Sequence, residues 1–161
     1  MVYHALADID HITIGTYENL RNFNNVRYLE KLRGGPSKGW YFSEKLLNFI
    51  KADYVELLHT KGCIDLIANE NNMFSDVILK RHYAWNNHKP DVHKNYLLSI
   101  SNIFRDLSDK KLDKRAEVLI LKVEAARELY EKLWVDYRIK LLDESSDRHL
   151  GDWLTFLNAN T

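Results

Sequence analysis

Between residues 109 and 142 the apolar positions fall into one rhythm. Leu112, Ala116, Leu119, Val123, Ala126, Tyr130, Leu133 and Tyr137 follow in alternating steps of four and three, the a and d spacing of a heptad helix. Ile120, Leu129, Trp134 and Leu141 widen the stripe toward a globular core face. No Gly or Pro interrupts the run, so the pattern predicts one helix over about 109–142. At 1.5 Å per residue it extends about 50 Å. A compact chain of this length has a radius of gyration of about 15 Å. The expected shape is therefore an elongated bundle with this helix as its spine, or a helix that reaches past the bundle to a partner.

The rest of the chain reads as shorter elements of the same kind. Val92, Tyr96, Ile100, Ile103 and Leu107 give a clean amphipathic stripe, with Asp91 just after Pro90 as the expected N-cap. Leu46, Leu47, Ile50, Tyr54, Leu57 and Leu58 recur at helix spacing, which predicts a helix from about Ser43 to Thr60 with Trp40, Tyr41 and Phe42 closing over the core before it. A further helix is expected from Met73 to Trp85, ended by Asn86, Asn87 and Pro90. The last is expected after a cap at Asp147, with Leu150, Trp153, Leu154 and Leu157 on one face. A first helix is predicted from Thr16 to about Leu32, stopped by RGGPSKG at 33–39, where two Gly permit positive φ and Pro36 breaks the hydrogen-bond ladder. CIDLIA at 63–68 can restart a turn, NENN at 69–72 reads as a polar break, and residues 1–15 read as an extended arm. The fold expectation is all-α, five to six helices, in a single domain spanning 1–161.

Composition supports a folded core and narrows the function only slightly. The chain has 161 residues and is 45% hydrophobic, with four Trp, nine Tyr and six Phe. A chain of this size buries roughly 70% of its unfolded surface. Charge is balanced, 23 basic against 23 acidic residues, so no overall basic excess marks a nucleic-acid binder, although a local patch remains open. One cysteine, Cys63, cannot form an internal disulfide, which suits a reducing compartment. MVYHALADID lacks the basic start and apolar run of a secretory signal, and no apolar stretch approaches a membrane span. The expectation is a cytoplasmic protein without a membrane partner.

The densest candidate chemistry lies in LKRHYAWNNHKPD, residues 79–91. Arg81 and His88, with a His directly after the Arg, resemble the R-polar-x(4–6)-H pattern of HEPN-domain ribonucleases, a family of small helical bundles. The resemblance spans about eight residues. It implies a dimer cleft in which Arg81 stabilises phosphorane charge and His88 moves protons, without metal. The plainer reading is a helix C-terminus, where Arg and His suit the dipole.

The remaining motifs are weaker. His82, His88 and His93 are near one another, and Glu56-Leu57-Leu58-His59 is a single E-x-x-H, whereas di-iron bundles carry that motif twice. Asp8, Asp10 and His11 are suitable ligand types on the arm. No metal and no cofactor is expected. RGGPSKG lacks the phosphate-loop signature. Lys31, Arg33 and Lys38 beside Trp40 and Tyr41 combine a basic rim with stacking aromatics, which is also what an ordinary interhelical turn looks like. Trp85 and Trp134 are further interface candidates. The leading expectation is a non-enzymatic interaction protein, such as an inhibitor, an immunity or antitoxin-like factor or an accessory subunit. Another protein is its expected partner, and a homodimer through the long helix is an alternative. The competing readings are the metal-independent ribonuclease and a nucleic-acid-binding module.

Overall fold

A computed structural model of the chain describes residues 1–9, 38–86 and 89–161. The predicted first helix and most of RGGPSKG lie outside the described residues. The described chain is mostly helical, with one small two-stranded sheet. In order the elements are α1 (Val2–Leu6), β1 (Trp40–Ser43), β2 (Asn48–Lys51), α2 (Ala52–Thr60), α3 (Met73–Ile78), α4 (Pro90–Ser108), α5 (Leu112–Tyr137) and α6 (Arg148–Ala159). Short 3-10 turns occupy Ile64–Leu66 and Asp143–Ser145.

Helix α5 is 26 residues long, shorter at both ends than the predicted span. Ala116, Leu119, Val123, Ala126, Tyr130 and Leu133 are all buried, against α1, α4 and α6. From Ala116 to Leu133 the stripe is therefore covered within the chain, whereas Leu112 at its start and Trp134, expected to widen the core face, are exposed. The helix stops because Arg138 turns left-handed, at φ 57°. Its N–H bonds the carbonyl of Trp134, and the N–H of Ile139 bonds that of Leu133. This reversal returns Ile139 and Leu141 to the core. Leu141 is thus a core residue, as its place in the pattern suggested, but it lies beyond the helix.

The segment Ser43–Thr60 is not one helix. Its first half is a hairpin, with Tyr41 opposite Ile50 and Phe42 opposite Phe49. Leu46, Leu47 and Ile50 are buried, so their spacing reported burial correctly and conformation wrongly. The aromatic run Trp40-Tyr41-Phe42 favours a strand. The Ser43 hydroxyl accepts from the N–H of Leu46 at 3.3 Å, and Leu47 takes φ 51°, a turn no helix can contain. A lone hairpin is marginal in water. This one packs on α4 and α2, where the rings of Phe42, Phe49 and Tyr96 lie 5.1–5.5 Å apart.

Behind the hairpin sits a buried polar network. Asn69 and Asn72, expected in a polar break, are buried with Asn95, Ser99 and Ser75. The Asn69 amide donates to the carbonyl of Phe42 at 2.8 Å and to Ser99 at 2.8 Å, and accepts from the N–H of Glu44 at 2.7 Å. Asn95 also donates to Phe42, at 3.0 Å, and Asn72 donates to Ser99 at 2.9 Å. The Asn72 oxygen caps α3 at the N–H groups of Phe74 and Ser75. Buried amides tolerate such a site only when paired, and these are.

Three smaller boundaries differ from expectation. Residues 2–6 are helical rather than extended, with His4 and Ala5 buried. His4 Nε2 lies 3.0 Å from the Ser108 hydroxyl, which ties this helix to the end of α4. Helix α3 stops at Ile78, well short of Trp85, and the chain then turns through His82 at φ 65°. Lys89, not Asp91, occupies the N-cap position of α4, with Pro90 opening the helix as its fixed φ permits. Asp147 does stand at the N-cap of α6, although its side chain makes no capping bond.

Candidate binding site

Among the described residues, those singled out from sequence do not come together in one site. His88, Arg33 and Lys31 lie outside the described residues, so the Arg81–His88 pair has no geometry here. Arg81 is exposed in the turn after α3. Tyr41, expected on a binding rim, is fully buried. Its hydroxyl donates to the carbonyl of Ile67 at 3.2 Å and lies 2.7 Å from the Ser75 hydroxyl, and burial pushes the phenol far above its ordinary range. Tyr41 is a core residue and presents no surface to a ligand. Trp40 is half-buried with the Lys51 ammonium 5.5 Å from its ring. Lys38 is held by Asp53 at 2.7 Å and by Glu56 at 3.4 Å. The expected basic rim with stacking aromatics is therefore not assembled among the described residues. Trp85 is half-buried and meets Tyr83 edge-on at 5.2 Å.

Trp134 is different: it is 48% exposed on α5. It borders an open groove of about 640 Å³ on the outer side of that helix. Burial of the stripe on the inner side dictates what lines the outer one. Glu124, Glu128 and Glu131, at steps of four and three, share a face that leads to Trp134. The opposite wall is the returning chain, with Lys140, Leu141 and Asp147. That wall is fixed by Tyr130, whose hydroxyl donates to the carbonyl of Ser145 at 2.9 Å and accepts from Asn48 at 3.1 Å. Lys51 grips Glu144 at 2.8 Å and Asp143 at 3.4 Å, which holds the Glu144 carboxyl below its usual range. Lys140 lies 6.0 Å from the Trp134 ring centroid. Among the described residues, none of Glu124, Glu128 or Glu131 joins an ion pair.

A second cleft, of about 600 Å³, opens between the hairpin turn, α4 and α5. Glu44 is half-buried in it. Burial holds its carboxyl above the usual range, opposed by hydrogen bonds from Ser99 and Asn102. Its rim is largely neutralised within the chain, by Lys122 on Asp106 at 2.9 Å and Lys45 on Glu70 at 3.4 Å. Cys63 is buried, which pushes its thiol up and makes it a core residue rather than a nucleophile. Among the described residues, no three His, Cys, Asp or Glu side chains gather as a metal site, and no helix is long and apolar enough to cross a membrane.

The acidic face of α5 was readable in principle. Glu124 and Glu131 follow the stripe residues Val123 and Tyr130 by one position, and Glu128 follows Ala126 by two, so all three fall on the side of the helix away from the apolar stripe. Comparison with protein-family models, curated proteins and solved structures returns no match to this chain.

Proposed function

We propose that the protein is a non-enzymatic interaction protein, in the class of inhibitors, immunity or antitoxin-like factors and accessory subunits. In this reading α5 is the spine of an elongated helical bundle and its outer groove is the contact surface. The observation that carries it is Trp134, half-exposed at the edge of a groove whose three glutamates join no ion pair among the described residues and which, with Asp147 against Arg127 and Lys140, keeps a net acidic lining. A Trp in such a position supplies a large apolar contact at low entropic cost and belongs to the residue types that dominate interface energetics. Unpaired carboxylates beside it attract a basic surface and accelerate encounter. The partner is therefore a different protein offering a Lys- or Arg-rich segment with an apolar residue that covers the indole. A second copy of this chain fits less well, because it would bring the same acidic face to the groove.

The test compares capture by the intact chain with capture by Trp134→Ala and by Glu128→Lys with Glu131→Lys. The reading expects one partner retained in stoichiometric amount by the native chain and lost by both variants, with association slowing as salt rises. Equal retention by the variants, or repeated recovery of no stoichiometric partner from the native cell, would overturn it.

A further inference from the structure

A third cleft, of about 270 Å³, lies between the end of α2 and the turn after α3, and shares no residue with the α5 groove. Its walls carry His59 from α2 and Lys80, Arg81, His82 and Tyr83 from the turn. Two of its groups are short of partners. Among the described residues, His59 Nε2 and the Tyr83 hydroxyl are closed off from solvent and meet no hydrogen-bond partner. A buried polar atom left unpaired is costly, and here both residues line the same cavity. As the rings stand neither atom is open to the cleft, so a ligand there meets them only as the rings turn toward it.

The charge of the cleft says what the partner is. Among the described residues, neither Lys80 nor Arg81 pairs with a carboxylate. Glu56 is the one carboxylate on the wall, and Lys38 already lies 3.4 Å from it. Lys89 adds a further cation 4.6 Å from the Tyr83 ring. The C-terminus of α2 does not cancel this field. The carbonyls of Glu56, Leu57, Leu58 and His59 accept from Thr60, Lys61, Cys63 and Gly62 respectively. The Tyr83 phenol is held above its ordinary range, by burial first and then by Asp91, so it remains a donor. The volume matches about nine waters at ~30 Å³ each, room for a tetrahedral oxyanion with part of its hydration.

We propose that this cleft binds a phosphate-class oxyanion, with Arg81 and Lys80 supplying charge at the mouth and the rings of His59 and Tyr83 turning from the wall to donate. The guanidinium offers paired donors that match two oxygens of such a group. Whether the phosphate is free or carried on a nucleoside is a question of source, and the edge-on pair Tyr83 and Trp85 makes the second worth a separate arm.

The experiment follows imidazole and guanidinium NMR signals of the full chain during titration with inorganic phosphate, with chloride at matched ionic strength as control. A saturable shift of the His59 and Arg81 signals by phosphate alone is expected. Arg81→Gln, an exposed change that leaves the core intact, should weaken binding about tenfold, the loss of one charge-assisted bond of ~1.4 kcal/mol. Tyr83→Phe should weaken it less and keep the ring contacts. A nucleoside monophosphate binding at least tenfold tighter than phosphate assigns the source to a nucleotide, and equal affinities assign it to the free anion. A linear shift, an equal response to chloride, or unchanged affinity in Arg81→Gln would overturn the site. Neither result bears on the Trp134 groove.

Discussion

Two halves of this molecule bury their interiors by opposite means. In the helices α4 to α6 the interior is an apolar stripe, with Leu107, Leu119, Val123, Leu133, Leu150 and Leu157 all closed to solvent. Around residues 40–78 the interior is divided between apolar side chains and a set of amides and hydroxyls, in which Asn69, Asn72 and Tyr41 are joined by Asn95 and Ser99 from the first turns of α4. The first solution is non-directional and tolerates small shifts. The second works only if each donor meets its acceptor, so it fixes the hairpin, the capped start of α3 and α4 in one arrangement. Packing against apolar neighbours holds the helical half together. Hydrogen bonds specify the other half, and a missing one leaves several groups stranded rather than one cavity.

The largest expected effect tests that difference directly. Asn69→Ala removes the donor to Phe42 and Ser99 and the acceptor for the N–H of Glu44. The N–H of Glu44 is left unpaired, at about 1–3 kcal/mol, and two further hydrogen bonds are lost at about 1 kcal/mol each. Phe42 and Ser99 keep a donor each, from Asn95 and Asn72. The loss should reach about 4 kcal/mol. Leu119→Ala in the stripe deletes only apolar contact and should cost about 3 kcal/mol. Urea unfolding of both variants measures the two. If Asn69→Ala costs less than Leu119→Ala by a clear margin, the amide network is incidental and the hairpin is held by its aromatic side chains.

The same contrast explains what could be read in advance. The stripe of α5 and the face of α4 declare themselves because a helix converts burial into a period, and every stripe residue from Ala116 to Leu133 is in the core. The hairpin hid because both of its faces are covered: Tyr41 and Phe42 are adjacent and both buried, so the two-residue alternation of a strand never appears. Asn69 and Asn72 hid because an Asn looks the same in a polar loop and in a buried network, until its partners Asn95 and Ser99, more than twenty residues away, are known. The candidate sites follow the same rule. Trp134 could be named from its place near the stripe, whereas the cleft of His59 and Arg81 joins segments from two elements that no local spacing connects.

A smaller effect lies where the two halves meet. His149 of α6 has its Nε2 3.1 Å from the carbonyl of Leu47 in the hairpin turn, with its ring edge-on to Trp153 at 4.9 Å. Burial lowers its pKa, against the raising influence of the Leu47 and Ser146 backbone and of Asp147 and Asp152. His4 is lowered as well, by burial and by Arg115 and the chain N-terminus. The sign follows from linkage. Below the ordinary value of about 6.5 the unfolded chain takes up these protons before the folded one does. The contribution is therefore fully present above that pH and is lost as pH falls through the lowered folded value. Glu44, raised by burial, acts in the opposite sense. Its contribution is present at low pH and is lost as pH rises through its folded value. Urea midpoints at pH 7.5 and 5.5 should fall on acidification, and fall less in His149→Gln, which keeps a donor for Leu47. An equal fall in that variant would remove His149 from the account.

The smallest effect separates backbone from packing within the helical half. Arg138 ends α5 in the left-handed region at φ 57°, where a Cβ is strained by about 1 kcal/mol or somewhat more. Its side chain makes no ion pair among the described residues. Arg138→Gly relieves that strain and gives back part of the gain through the greater freedom of the unfolded chain. The expected result is a rise of about 0.5 kcal/mol, read as a higher urea midpoint with unchanged slope. The turn at Arg138 also aims Lys140 and Leu141 at the groove beside Trp134, so the substitution should leave partner capture intact. A loss of stability would mean that the arginine side chain, and not the backbone reversal, is what closes the end of the helix.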